Sequence, residues 1–284
     1  GLGDVYKRQH RMSTVMHEPI QLVLCDMDGT LLSPDHTISP RTLAAVKALQ
    51  AAGVYFTLAT GRPPRGMRDQ VKQLGIELPT AAFNGGILVN ADGSYLQSYP
   101  VPCEAVKATL ALLDQHDVEV WVFADDQWLL RDPNGPMVAQ EHNALGFAPR
   151  VVTDFDAYVH RVDKIVAASR NAQLLVELEQ QLHGVLGDQA LASRSQAFYL
   201  DITAPRANKG DALVSLAALL EVPLGNTMAI GDGGNDPAMF KRAGLSVAMG
   251  QADAEIRDQA TYVTGTNRED GAALALERFV LKAE

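Results

Sequence analysis

Asp26 and Asp28 stand two residues apart at the end of an almost wholly apolar run, IQLVLCDMDGTLL (20–32), and GDGGND (231–236) supplies Asp232, Asn235 and Asp236. Carboxylates brought close together repel one another unless something neutralises them. These positions offer hard oxygen donors without an obvious histidine or thiol partner, a set that suits Mg²⁺ rather than zinc or copper. A carboxylate held ionised beside such a cation can attack a phosphoryl group, whose transfer depends mainly on positioning and charge neutralisation. Thr60 in ATGR, backbone N–H groups just after Asp26, and Lys209 in NKG are candidates to hold the phosphate oxygens.

Each motif also has a bland reading. DMDGT could open a calcium loop, but that loop wants Gly at its sixth position and Glu at its twelfth, where this chain has Leu31 and Thr37. GDGGND alone could be a glycine-rich turn, Thr60 and Gly61 could cap a helix, and Lys209 could be a solvated lysine at a helix start. Cys25, at the end of the apolar run, reads as core packing.

The elements that must position these residues follow from periodicity. IQLVLC is continuous enough for a strand covered on both faces. SPRTLAAVKALQAAG reads as a helix with Ser39 as cap, Pro40 in its first turn and Gly53 beyond its end. VYFTLATGR is a second strand, RGMRDQVKQLG a helix, and TAAF a short strand reaching Asn84. After Pro205 the rhythm repeats, with KGDALVSLAALL as helix and NTMAIG as strand. Between these stretches a hairpin (GGILVNADGSYLQS, turn at NADG) precedes helices and strands in a less regular order. The expected fold class is therefore α/β: a Rossmann-like parallel-sheet core at 20–86 and 205–284, an inserted α+β cap at 87–204, and a disordered polar tail at 1–19. In an open parallel sheet, ligands bind at the carboxyl ends of the strands. Asp26, Asp28, Thr60, Asn84, Asp232, Asn235 and Asp236 all fall there.

DMDGT, ATGR, NKG and GDGGND, in this order, resemble the four motifs of the haloacid dehalogenase superfamily of phosphohydrolases. The resemblance runs over nearly the whole chain from about Ile20. The long interval from Asn84 to Lys209 (209 − 84 = 125 residues) against the short one from Asp28 to Thr60 (60 − 28 = 32) resembles the Cof-type subfamily, whose large α/β cap is inserted at that place. The resemblance implies Mg²⁺-dependent hydrolysis of a phosphomonoester of a small metabolite through an aspartyl-phosphate. It casts Asp26 as nucleophile and metal ligand, and Asp28 as general acid and base with its carbonyl on the metal. The Met27 amide, the Thr60 hydroxyl, the Gly61 amide, Lys209 and Asn235 would hold the phosphoryl group. Asp232 would complete the metal ligands, and Asp236 would orient them. Arg62, Asn84 and Gly85 are candidate substrate contacts. In the cap, Asp125, Asp126, Trp128 and His142 are weaker ones, Trp128 reading better as core. A phosphomutase, or a non-catalytic phosphate-binding regulator on the same fold, are the alternatives.

Composition narrows the partners. With 47% hydrophobic and 20% charged residues, the chain can build substantial cores. A net charge of −10 and no basic run make nucleic acid a poor first guess as a partner. No apolar stretch approaches the roughly 18 to 20 residues that span a bilayer, and no signal peptide is legible. Two cysteines far apart are too few for a disulfide framework. The expectation is a cytoplasmic enzyme acting on a small phosphorylated metabolite, with no membrane partner. Oligomeric state leaves no mark in the sequence.

Overall fold

The computed structural model describes residues 17–282. Most of the polar segment 1–19 lies outside the described residues; His17, Glu18 and Pro19 carry no regular secondary structure.

Two sheets organise the chain. The larger contains β1 (Leu22–Asp26), β2 (Tyr55–Ala59), β3 (Thr80–Ala82), β4 (Ile87–Val89) and β5 (Tyr95–Ser98). The smaller contains β6 (Glu119–Ala124), β7 (Gln127–Leu130), β8 (Arg150–Val151), β9 (Val162–Ala168), β10 (Leu191–Gln196) and β11 (Tyr199–Thr203). The chain then returns to the larger sheet with β12 (Thr227–Gly231), β13 (Leu245–Ala248) and β14 (Tyr262–Val263). The strand orders are β14-β13-β12-β1-β2-β3-β4-β5 and β10-β11-β9-β6-β7-β8.

Six neighbouring strands of the larger sheet, β14 to β3, run parallel. The connections between them carry α1 (Pro40–Ala51), α2 (Arg68–Gln73), and, beyond the smaller sheet's helices α3 (Cys103–Leu113), α4 (Val138–Leu145) and α5 (Ala172–Leu186), also α6 (Lys209–Leu219), α7 (Pro237–Phe240) and α8 (Ala254–Arg257). The last of the α-helices, α9 (Gly271–Leu276), follows β14.

β1 is buried along its whole length because it divides its side chains between two cores. Leu22 and Leu24 pack with Leu213 and Leu216, whereas Val23 and Cys25 pack with Val46 and Leu49. A strand covered on both faces needs this unbroken apolar run. Ser39 caps α1 by accepting from the Thr42 amide at 3.2 Å, and Asn208 caps α6 by accepting from the Asp211 amide at 2.8 Å.

One boundary differs from the expectation. The hairpin 87–98, assigned above to the insert, pairs antiparallel with β3 and extends the larger sheet. The turn after β3 is too short for the chain to leave: Asn84 and Gly85 take left-handed backbone (φ 59° and 103°), and Ile87 returns directly opposite Ala82. The strands β7, β8 and β10 also lie in stretches where the sequence offers no clean alternation.

The smaller sheet has a sided character. Val120, Val122, Ile165 and Ala167 pack against Val106 of α3 and Leu175, Leu178 and Leu182 of α5. Its opposite face, with Trp121, Phe123 and Val166, joins the same apolar cluster as Phe83 of the larger sheet, where the Phe83 and Phe123 rings meet edge-on at 5.7 Å. The second face therefore lies over the carboxyl end of the parallel strands. No helix among the described residues is long and apolar enough to cross a membrane.

Candidate active site

β1 delivers Asp26 to the carboxyl edge of the sheet, between β2 and β12. The tight turn 27–31 follows, with Asp28 extended (φ −66°, ψ 126°) and Gly29 left-handed (φ 78°). Gly29 is the residue this turn requires, since a Cβ there would overlap the Asp232 carboxylate. Thr30 Oγ1 donates to Asp232 Oδ1 at 2.9 Å and, at 3.4 Å, to Asp26 Oδ2.

α6 places Lys209 beneath this pair. Its ammonium, fully buried, donates to Asp26 Oδ1 at 2.8 Å and to Asp236 Oδ1 at 2.7 Å. The other Asp236 oxygen accepts from the amides of Asp232 and Gly233 at 2.8 and 2.9 Å, so both of its oxygens are committed. Burial, then the Asp236 carboxylate, push the Asp26 carboxyl well above its ordinary value, with Lys209 opposing them. Asp232 is raised too, chiefly by burial. Burial alone would lower the Lys209 ammonium, but Asp236 and Asp26 hold it above the usual lysine range. Cys25, just before, has its thiol pushed up by burial and gives no thiolate.

Oxygens of Asp26, Asp232 and Asp236 lie within 4.8 Å of one another. Three carboxylates against one ammonium leave a charge deficit that suits a divalent cation, and the all-oxygen donor set suits Mg²⁺. The residues fit the metal. Because Asp236 is tied up by two amides and Lys209, Asp26 and Asp232 are the carboxylates with capacity for it.

The rest of the predicted set divides. A cavity of about 530 Å³ is lined by Asp26, Asp28, Thr60, Gly61, Asp232 and Asn235 among others. Arg62 lines it as well, but its guanidinium is spent on Asp28, with Nε to Oδ2 at 2.7 Å and Nη2 to Oδ1 at 2.6 Å. The Thr60 hydroxyl accepts from the Arg62 amide at 3.1 Å. Asn84, Gly85, Met27 and Lys209 do not line the cavity. Asn84 Oδ1 accepts from Asn235 Nδ2 at 2.8 Å, which makes it a support for Asn235 rather than a contact. Gly85 packs against the Asn208 carbonyl and Ala212, and the Met27 side chain is core.

The weaker candidates of the insert fall elsewhere. Asp125 pairs with Arg161 and Asp126 with Arg68. Trp128 is fully buried and His142 is exposed away from the cavity. In their place the second sheet brings Lys164, Tyr199 and Asp201, and α4 brings Glu141. Lys164 Nζ donates to the Gly61 carbonyl at 2.8 Å, a direct link from β9 to the turn after β2. The available signal was a lysine inside the otherwise apolar strand VDKIVAAS.

Residues 23–276 match the family model of haloacid dehalogenase-like hydrolases. An HMP-PP phosphatase of Yersinia enterocolitica is 32% identical over 262 residues, covering 92% of this chain and 95% of that protein. Among solved structures, a haloacid dehalogenase-like hydrolase from Bacteroides thetaiotaomicron is 28% identical with a TM-score of 0.81, covering 91% of this chain and 99% of that one. A subclass IIB sugar phosphatase of the same superfamily is 26% identical with a TM-score of 0.82, covering 91% and 98%.

Proposed function

The chain belongs to the haloacid dehalogenase-like hydrolases and is a phosphoric monoester hydrolase, and from that premise we propose that it releases phosphate from a small metabolite through an aspartyl-phosphate on Asp26. One observation carries this reading: Asp26 lines the cavity while Lys209 holds its Oδ1, so a single carboxylate is oriented and accessible in an otherwise buried site. The similarity to an HMP-PP phosphatase and to a sugar phosphatase supports a small phosphorylated metabolite as substrate.

A carboxylate oxygen of Asp26 attacks phosphorus, and the bond from phosphorus to the ester oxygen breaks. Asp28, on the same turn and facing the same cavity, donates a proton to the departing oxygen. A water then attacks the phosphoryl group on Asp26, Asp28 takes up the water's proton, and inorganic phosphate leaves with Asp26 regenerated. The Thr60 hydroxyl, the Gly61 amide and Asn235 hold the phosphoryl oxygens, with Asn84 fixing the Asn235 amide. Asp26, Asp232 and the Asp28 carbonyl are the residues that would hold Mg²⁺, with Asp236 orienting them. When bound, the cation neutralises the charge of the phosphoryl group and the crowded carboxylates. We read the smaller sheet, with its helices, as a cap whose inner face completes the cavity and limits water access. The two free cysteines, Cys25 and Cys103, support a reducing compartment, the cytoplasm.

The test is steady-state turnover of p-nitrophenyl phosphate with and without Mg²⁺, with product analysis separating released phosphate from phosphate transferred to a second hydroxyl. Asp26→Asn should lower kcat by at least about a thousandfold with the fold intact by circular dichroism. Undiminished turnover in that variant would overturn the reading.

A further inference from the structure

Opposite Asp26, the cavity wall belongs to the inner face of the smaller sheet, and its chemistry is uneven. The strand register sets Trp121 beside Val166 and Val166 beside Asp201, with Tyr199 next along β11 opposite Ala168. Glu141 of α4 completes the wall, and Ala144, Leu145 and Val166 form its apolar flank.

One polar group there lacks a partner. Tyr199 is only 6% exposed, yet its hydroxyl has no hydrogen-bond partner. A buried hydroxyl in that state is costly and marks a place for a missing group. Glu141 stands beside that hydroxyl, and burial raises its carboxyl while the Lys164 ammonium pulls the other way. Asp201, 5% exposed, has Lys164 at 3.7 Å, but that ammonium also serves the Gly61 carbonyl. The nearest other cation, Arg62, is committed to Asp28. The wall thus holds two carboxylates against one ammonium, with an unpaired phenol between apolar surfaces.

That balance repels a second phosphate. It also leaves a net charge that a neutral hydroxyl cannot offset. We infer that Glu141 and Tyr199 form a subsite for an amino group on the leaving group, so that the substrate is an amino-bearing phosphate ester. The inference rests on the phosphatase reading above and names its substrate class. The amine donates to the Glu141 carboxylate and the Tyr199 oxygen, while the ester end reaches Asp26 across the cavity. Both an amino sugar and an aminomethyl heterocycle carry this chemistry.

The test compares kcat/KM, in the presence of Mg²⁺, within two matched pairs: glucosamine 6-phosphate against glucose 6-phosphate, and pyridoxamine 5′-phosphate against pyridoxine 5′-phosphate. p-Nitrophenyl phosphate serves as the generic ester. The expected result is a preference on the order of tenfold for the amino member of at least one pair, the size of one charge-assisted hydrogen bond. Which pair shows it identifies the scaffold. The preference should collapse toward one in Glu141→Gln and shrink in Tyr199→Phe, read as a ratio within each variant so that a general loss of activity cancels. Equal kcat/KM within both pairs in the unmutated protein overturns the inference while leaving the phosphatase reading intact, and so does a preference that survives in Glu141→Gln. Absence of turnover on every ester, p-nitrophenyl phosphate included, overturns the phosphatase reading and this inference with it.

Discussion

Arg62 grips Asp28 through both carboxylate oxygens, at 2.7 and 2.6 Å, while its Nη1 donates to the Gly66 carbonyl at 2.9 Å. The planar fork is thereby fixed at three points, and it sets the plane of the carboxylate proposed to carry the proton. A lysine preserves the charge but not the fork. Arg62→Lys should therefore lose roughly 10- to 100-fold in kcat/KM, mainly in kcat, measured with p-nitrophenyl phosphate. Full activity in Arg62→Lys would mean that charge alone suffices.

Lys209 joins two buried carboxylates, Asp26 and Asp236. Replacing it with Met leaves Asp26 and Asp236 facing each other without the ammonium that joins them. Breaking a buried pair by removing one partner costs roughly 3 to 5 kcal/mol. Urea unfolding of Lys209→Met should show a loss of that order alongside lost turnover; an unchanged midpoint would refute the pairing.

Two glycines with the same backbone sign should behave differently. Gly29 (φ 78°) and Gly93 (φ 88°) both occupy the left-handed region, but only at Gly29 does a Cβ run into a carboxylate. Gly93→Ala should cost about 1 to 2 kcal/mol of stability and leave turnover in place. Gly29→Ala should displace Asp232 and lower kcat/KM by at least about a hundredfold. Equal activity in the two variants would contradict the packing of the turn.

Asp163 provides a pH signature remote from the chemistry. It is 7% exposed, and burial, then Asp125 and Asp126, push its carboxyl up to about 7. An unfolded aspartate titrates near 4. Because the folded value is the higher one, this group's contribution to stability is complete below about pH 4 and is lost as pH rises through about 7. Asp163→Asn should flatten the stability profile across that window. It should also gain roughly 1 to 3 kcal/mol at pH 8, read from urea unfolding at pH 5 and pH 8. A variant with an unchanged profile would place the titration elsewhere.

The parallel sheet and its ligand edge were legible because each strand near the site ends in a polar motif. The unbroken apolar run at 22–26 could only be a doubly covered strand, and it carries Asp26 to the edge by its own length. Partners were harder to read. Arg62 and Asp28 are separated by a whole helix and strand, and nothing in ATGR says whether the guanidinium faces substrate or a carboxylate. Asn84 and Gly85 follow the third strand as a ligand-binding turn would, yet their left-handed backbone serves the return into β4. On the insert, Lys164, Tyr199 and Asp201 share one face only through antiparallel registers that no single strand's periodicity discloses. The alternation inside β9 shows which residues share a face, but not what that face covers.

Strand β1 is flanked by β2 on one side and by β12 on the other, with Leu22 opposite both Tyr55 and Thr227. A ribosome therefore releases the nucleophile's strand and one of its neighbours long before the other neighbour is made. Lys209 and Asp236 emerge after the entire second sheet. Until then Asp26 stays in water at an unpaired edge, where its charge costs nothing but the edge is open to wrong pairing. Closing β12 onto β1 is a long-range step that joins the two halves of the sheet and the ion cluster together. Chains truncated before residue 227 should consequently be both inactive and prone to aggregate, whatever the integrity of the second sheet.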